Sequence, residues 1–262
     1  MSRRPAPPKE PREARVALRD RVGAELPLKA DAGFAGIQWP VEYGGRGLSG
    51  HLAGVFKQEE ARYDVPANSF QVGVDMVGPT LIAHGTPAQC QRHLDPIKRG
   101  DEVWCQLFSE PDAGSDLAGL STRAVRDGDE FVVNGQKVWT SGAQSSDWGI
   151  LLVRTDPDQP KHRGITYLLV DMRTPGIEVR PLTQIDGAVH FNEVFLSDVR
   201  VPVLAYHVSG EYAMVKAAAA AEMLDDIHGR HRKTGAVNEA ADIAVKRDIG
   251  QVVVLRHALL RV

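Results

Sequence analysis

The chain has 262 residues, 43% hydrophobic and 25% charged, with 31 Lys and Arg against 34 Asp and Glu and a net charge of −3. That balance offers no basic surface for nucleic acid and describes a globular chain long enough for one or two domains with their own cores. Only two cysteines occur and no apolar run approaches the roughly eighteen residues of a membrane span, so a disulfide scaffold and a membrane span are excluded and a cytoplasmic protein is expected.

Residues 1–15 are basic and proline-rich without an apolar stretch, and are expected to form a disordered leader. From residue 16 to residue 102 the pattern is helical. Val16, Val22 and Leu26 are spaced for one face, and Leu52, Val55 and Phe56 ahead of Glu59 and Glu60 predict a second amphipathic helix. Thr86-Pro87 reads as an N-cap followed by a first-turn proline, with Gly100 as the stop. Trp39-Pro40 and Gly44 to Gly47 mark a turn-rich loop between helices.

At Val103 the period changes. Residues 131–133 and 136–139 flank Asn134-Gly135, a signature of a hairpin with a tight turn. Further short strands are expected at 148–154, 165–172, 177–181 and 192–195, which together predict an antiparallel barrel or sandwich over residues 103–202. Residues 203–262 turn helical again, with five alanines at 217–221 that need only high helix propensity. The nine histidines form no His-x-x-x-His pair beside a carboxylate, so no metal site is expected.

Two runs carry chemistry. Residues 105–116 read Cys-Gln-Leu-Phe-Ser-Glu-Pro-Asp-Ala-Gly-Ser-Asp, placing two hydroxyls around a Pro-Asp-Ala-Gly turn where the backbone can approach an anion. Residues 134–142 read Asn-Gly-Gln-Lys-Val-Trp-Thr-Ser-Gly, an aromatic followed at once by hydroxyls. A phosphate clasp, an aromatic wall and hydroxyl donors suit a flavin nucleotide.

With these runs the chain closely resembles the acyl-CoA dehydrogenases. The likeness extends over residues 36–48, 85–89, 164–167, 176–181 and 191–202 in the family's order. It implies an α+β fold with an N-terminal helical region, a central antiparallel β-barrel and a C-terminal helical region. It further implies FAD as cofactor, an acyl-CoA thioester as substrate and an electron-transfer flavoprotein or similar acceptor. A homo- or hetero-oligomer with a related subunit is also implied. Carried over by position, Gln106, Phe108 and Ser109 would line the flavin, Gly114 and Ser115 would meet its diphosphate, and Ser115 would lie close to the acyl-CoA. Trp139 would pack on the ring and Ser141 would reach its polar edge. The alternative for Trp139 is a strand residue filling the barrel core. Glu110 and Asp116 are expected to shape the turn.

The likeness fades past Pro202, where about sixty residues, room for two helices, stand in place of the family's four-helix bundle and its catalytic base. The chain therefore reads as a C-terminally shortened, bacterial-type member. Counting from Pro202 puts Glu222 near an early position of the base and makes it the weak candidate, against an exposed glutamate on an alanine-rich helix. Three readings compete: an acyl-CoA dehydrogenase subunit with impaired activity alone, a non-catalytic relative that binds or interacts, and an incomplete chain.

Overall fold

The computed structural model describes residues 25–62, 70–203 and 207–208. The leader at 1–15, Val16 and Val22, and the C-terminal region with Glu222 lie outside the described residues.

The helical half follows its sequence signals. Helix α1 (Glu25–Asp31) sends Leu26 against Phe70 and Val103. Helix α2 (Gly50–Glu60) starts where the Ser49 hydroxyl accepts from the Leu52 N–H, and it buries Ala53 and Phe56. Phe56 stacks on Phe34 with ring centroids 5.0 Å apart. A wide π-helical stretch at Val72–Val77 runs directly into α3 (Gly78–His84). Helix α4 (Pro87–Arg99) carries the predicted start and stop. Thr86 and Gln89 form a reciprocal capping box, and Gly100 closes the helix in the left-handed conformation at φ 74°.

Trp39 holds the turn-rich loop to this bundle. Its ring is buried and its indole N–H donates to the Val74 carbonyl at 3.0 Å. Gly78 lets the ring approach so closely that an added Cβ would lie 1.9 Å from Trp39 Cζ2.

Among the described residues, the second half is one sheet of eight strands: β1 (Trp104–Leu107), β2 (Arg123–Asp127), β3 (Glu130–Ser141), β4 (Trp148–Arg154), β5 (Ile165–Asp171), β6 (Ile177–Leu182), β7 (Phe191–Pro202) and β8 (His207–Val208). Its order is β6-β7-β3-β2-β4-β5-β8, with β1 also on β4. The expected antiparallel barrel is corrected here: the sheet is mixed and curled into a half-barrel. Strand β1 runs parallel to β4 from Trp104↔Trp148 to Leu107↔Leu151, and β2 meets β4 in parallel at Arg123↔Arg154. Thus β1 and β2 lie end to end along one edge of β4. Alternation of side chains reveals a strand, but the direction of its partner depends on the connection between them.

The Asn134-Gly135 turn is corrected too. Both residues lie inside β3, at an irregularity in its pairing with β7, and the chain reverses instead between β2 and β3 at Gly128, φ 62°. Gly135 is needed for contact: a Cβ there would lie 2.5 Å from Thr122 Oγ1.

Strand β4 is buried on both faces, and its alternate residues enter two cores. Trp148, Ile150 and Leu152 join Trp39, Leu81, Ile97, Trp104 and Tyr167 between helices and sheet. Leu151 and Val153 join Leu107, Val133, Leu168, Val194 and Val199 in the other. Among the described residues, no helix is long and apolar enough to cross a membrane.

Candidate functional site

The two motif segments meet where the end of β1 crosses the middle of β3. The Val138 N–H donates to the Ser109 carbonyl at 2.9 Å. Just beyond, Glu110 and Ala113 exchange backbone hydrogen bonds of 2.9 and 3.1 Å, closing a tight turn around Pro111 and Asp112.

Glu110 is the anchor of that turn. Its buried carboxylate accepts from the Ser121 N–H at 2.6 Å, the Ser121 hydroxyl at 2.8 Å and the Thr122 N–H at 2.9 Å. The Lys137 ammonium binds it at 2.7 Å and also donates to the Phe108 carbonyl at 3.1 Å. Burial opposes ionisation of Glu110, but the Lys137 charge and the surrounding donors outweigh it and hold the carboxyl well below its usual range. Lys137 is fully enclosed, and its desolvation lowers its own proton affinity, with Glu110 opposing that fall. Ionised and fully engaged, Glu110 has no role left as a proton acceptor. It shapes the turn, as its sequence context suggested.

The next residues face outward. Gly114 and Ser115 are exposed, and nothing lies within 4 Å of where a Gly114 Cβ would stand. Asp116 is held by Lys161, whose ammonium meets both carboxylate oxygens at 2.8 and 2.7 Å. Arg154 fastens the segment from below, donating to the carbonyls of Ala118 (2.6 Å), Leu120 (3.3 Å) and Lys161 (2.8 Å).

On β3, Trp139 departs from the core-filling alternative. It is 62% exposed and adopts φ 58°, rare for a residue with a bulky side chain. It sits where the register between β3 and β7 shifts between Lys137 and Thr140, and its ring meets Phe191 edge-on at 5.9 Å. Thr140 is buried with its hydroxyl unpaired among the described residues, while Ser141 is exposed. Asn192, also buried, donates to the Thr140 carbonyl at 2.9 Å and leaves its own Oδ1 without a partner among the described residues.

The structure thus brings Ser109, Trp139 and Ser141 to neighbouring positions on crossing segments, with Gly114 and Ser115 on the turn that follows. Gln106 is half-buried on β1. The Phe108 ring lies in the core between helices and sheet, and only its carbonyl is engaged here, by Lys137. Sequence reading passed over Lys137, Asn192, Arg154 and Lys161 as partners. The available signal was Lys137 itself, a charge set among strand residues. An exposed indole on strained backbone, an open glycine turn and outward hydroxyls fit a flat ring carrying phosphates, so the residues present are compatible with FAD.

A sequence profile described as "Acyl-CoA dehydrogenase, N-terminal domain" matches residues 9–101, and one described as "Acyl-CoA dehydrogenase, middle domain" matches residues 105–199. A profile for delta-aminolevulinic acid dehydratase matches residues 193–243, of which the first part is β7, paired within the same sheet. Acyl-CoA dehydrogenase FadE34 of Mycobacterium tuberculosis is 52% identical over 173 residues, covering 66% of this chain and 24% of that protein. Acyl-CoA dehydrogenase IpdE1 of the same organism is 50% identical over 171 residues, covering 65% and 44%. The chain therefore spans less than half the length of these relatives. Among solved structures, the "Tcur3481-Tcur3483 steroid ACAD" superposes with a TM-score of 0.62 at 30% identity, covering 94% of this chain and 80% of that one. The ChsE4-ChsE5 complex from Mycobacterium tuberculosis gives 0.64 at 29%, covering 97% and 76%. By these matches over both halves, this chain belongs to the acyl-CoA dehydrogenase family.

Proposed function

We propose that the described residues form the cofactor-facing part of an FAD-dependent acyl-CoA dehydrogenase, which introduces an α,β double bond into a thioester. The observation that carries this reading is Trp139, an indole held outward on left-handed backbone beside the Ser109 segment. Strained residues of this kind persist where a site requires them. In this proposal the flavin ring lies by Trp139 and Ser141 and the diphosphate by Gly114 and Ser115. FAD, when bound, supplies the hydride acceptor.

The chain's own residues then orient and enclose. The Glu110–Lys137 pair fixes the turn, and the hydroxyls of Ser109 and Ser141 offer donors to the ring's polar edge. The base that takes the α-proton lies elsewhere. Glu110 and Asp116 are both committed to ammonium groups, and a base must come within about 3 Å of its proton. We propose a carboxylate outside residues 25–203, with Glu222 as the candidate in this chain and a related subunit as the other source. The Tcur3481-Tcur3483 and ChsE4-ChsE5 pairs favour a two-subunit arrangement, and the former's description puts steroid-derived thioesters on the substrate panel.

The test has two arms. The purified chain should take up FAD, and Ser115→Glu should abolish uptake by crowding and like-charge repulsion. Unchanged flavin content in that variant refutes the diphosphate placement. In the second arm, the chain alone is assayed on a panel of acyl-CoA thioesters with an artificial acceptor, and little turnover is expected. Robust turnover lost in Glu222→Gln would instead make Glu222 the base.

A further inference from the structure

The backbone at Trp139 takes a conformation that a bulky residue avoids, and such a conformation survives only when its surroundings over-determine it. The surroundings here are two buried polar brackets. On the N-terminal side, Lys137 has no exposed surface; its ammonium joins Glu110 and the Phe108 carbonyl, and the Val138 N–H joins Ser109. On the C-terminal side, Asn192 has none either, and its amide donates to the carbonyl of Thr140, its register partner across β3 and β7. Regular pairing stops at Lys137 and resumes at Thr140, so the irregularity that aims Trp139 lies wholly between the brackets.

We infer that Lys137 and Asn192 are positioning residues that clamp the strand on either side of Trp139 and so present its ring, in a fixed pose, to a flat heteroaromatic ligand. The inference rests on the flavin reading of the site for the ligand's identity, but not for the clamp itself. Each bracket resists release for a physical reason. Letting go of Phe108 and Glu110 leaves a buried ammonium and a buried carboxylate without each other, and letting go of Thr140 leaves the buried Asn192 amide without its acceptor. Pre-set in this way, the indole need not be ordered when the ligand arrives, which favours affinity.

The four tryptophans make the test direct. Trp39, Trp104 and Trp148 are 3%, 2% and 4% exposed, whereas Trp139 is 62% exposed. Fluorescence that acrylamide quenches therefore reports Trp139. The full chain is compared with Lys137→Met and Asn192→Leu, the second variant being neutral and of similar size. Gly78→Ala, which perturbs the helical core against Trp39, serves as a destabilised control. The readouts are the fast local depolarisation of the quenchable fluorescence without ligand, and the visible circular dichroism per mole of bound FAD. Both clamp variants should increase the fast motion, alter the dichroism per bound flavin and weaken FAD binding about tenfold, while the control changes stability alone. Wild-type-like anisotropy and dichroism in folded clamp variants overturn the inference. Should Lys137→Met fail to fold, Asn192→Leu decides it. Increased motion in a chain that binds no FAD upholds the clamp and refutes the flavin reading.

Discussion

Lys137 and Trp139 stand two positions apart on β3, yet Lys137 is wholly enclosed while Trp139 is 62% exposed. Regular strand geometry would put both on one face. The left-handed residue at 139 breaks that alternation and turns the indole out while the lysine stays inside. Strand periodicity is here set aside at a single left-handed residue.

If the pose of Trp139 is strained, removing its side chain should not harm the fold. Trp139→Gly should leave the midpoint of thermal unfolding unchanged or raise it, since relief of left-handed strain is worth about 1 kcal/mol or more and little buried area is lost. FAD content should fall sharply in the same protein. A large loss of stability, measured by thermal unfolding, would place the indole among the structural residues.

Breaking the buried pair from one side should cost far more than its geometry alone suggests. Glu110→Ala leaves the buried Lys137 ammonium without its counter-charge, and losses of about 3–5 kcal/mol are typical of such orphaned charges. Glu110→Gln with Lys137→Met should recover much of that loss, because neither partner is then left buried and charged. Urea unfolding of Glu110→Gln, Lys137→Met and their combination closes the cycle that gives the coupling.

Acid should weaken the chain through the same residue. The folded state holds Glu110 below its usual carboxylate range, so the unfolded chain binds its proton first as pH falls. Glu110 therefore contributes stability that is complete above the ordinary value of 4.5 and is lost as pH drops from there towards about 2. A stability profile from pH 6 downward, roughly spanning that window, should flatten in the double variant Glu110→Gln, Lys137→Met. An unchanged acid limb would assign the effect to other groups.

In the helical half, Gly78→Ala should cost about 1–3 kcal/mol or more, the usual range for overpacking. The added methyl would lie 1.9 Å from the Trp39 ring, so the ring or the helix must move. Because Trp39 also donates to Val74, displacement should be visible as a changed environment of its indole N–H by NMR.

Much of the architecture was legible before the fold. Capping and stop signals at Thr86, Pro87 and Gly100 act through neighbours in sequence, so α4 could be read from the chain alone. The same holds for the strand runs at β4 and β5 and for the two motif segments that bear the family resemblance. What only the tertiary structure decided depends on partners far apart in sequence. Nothing near β1 says that it lies parallel to β4, and nothing at Asn134-Gly135 says that a strand passes through it, because the deciding contact is with Thr122. Lys137 reads as an ordinary motif lysine until Glu110, twenty-seven positions away, is found at 2.7 Å, and Asn192 is silent until β7 lies beside Thr140. Local signals fix short-range backbone preferences, whereas burial, charge pairing and left-handed strain are settled only when distant strands enclose the same few atoms.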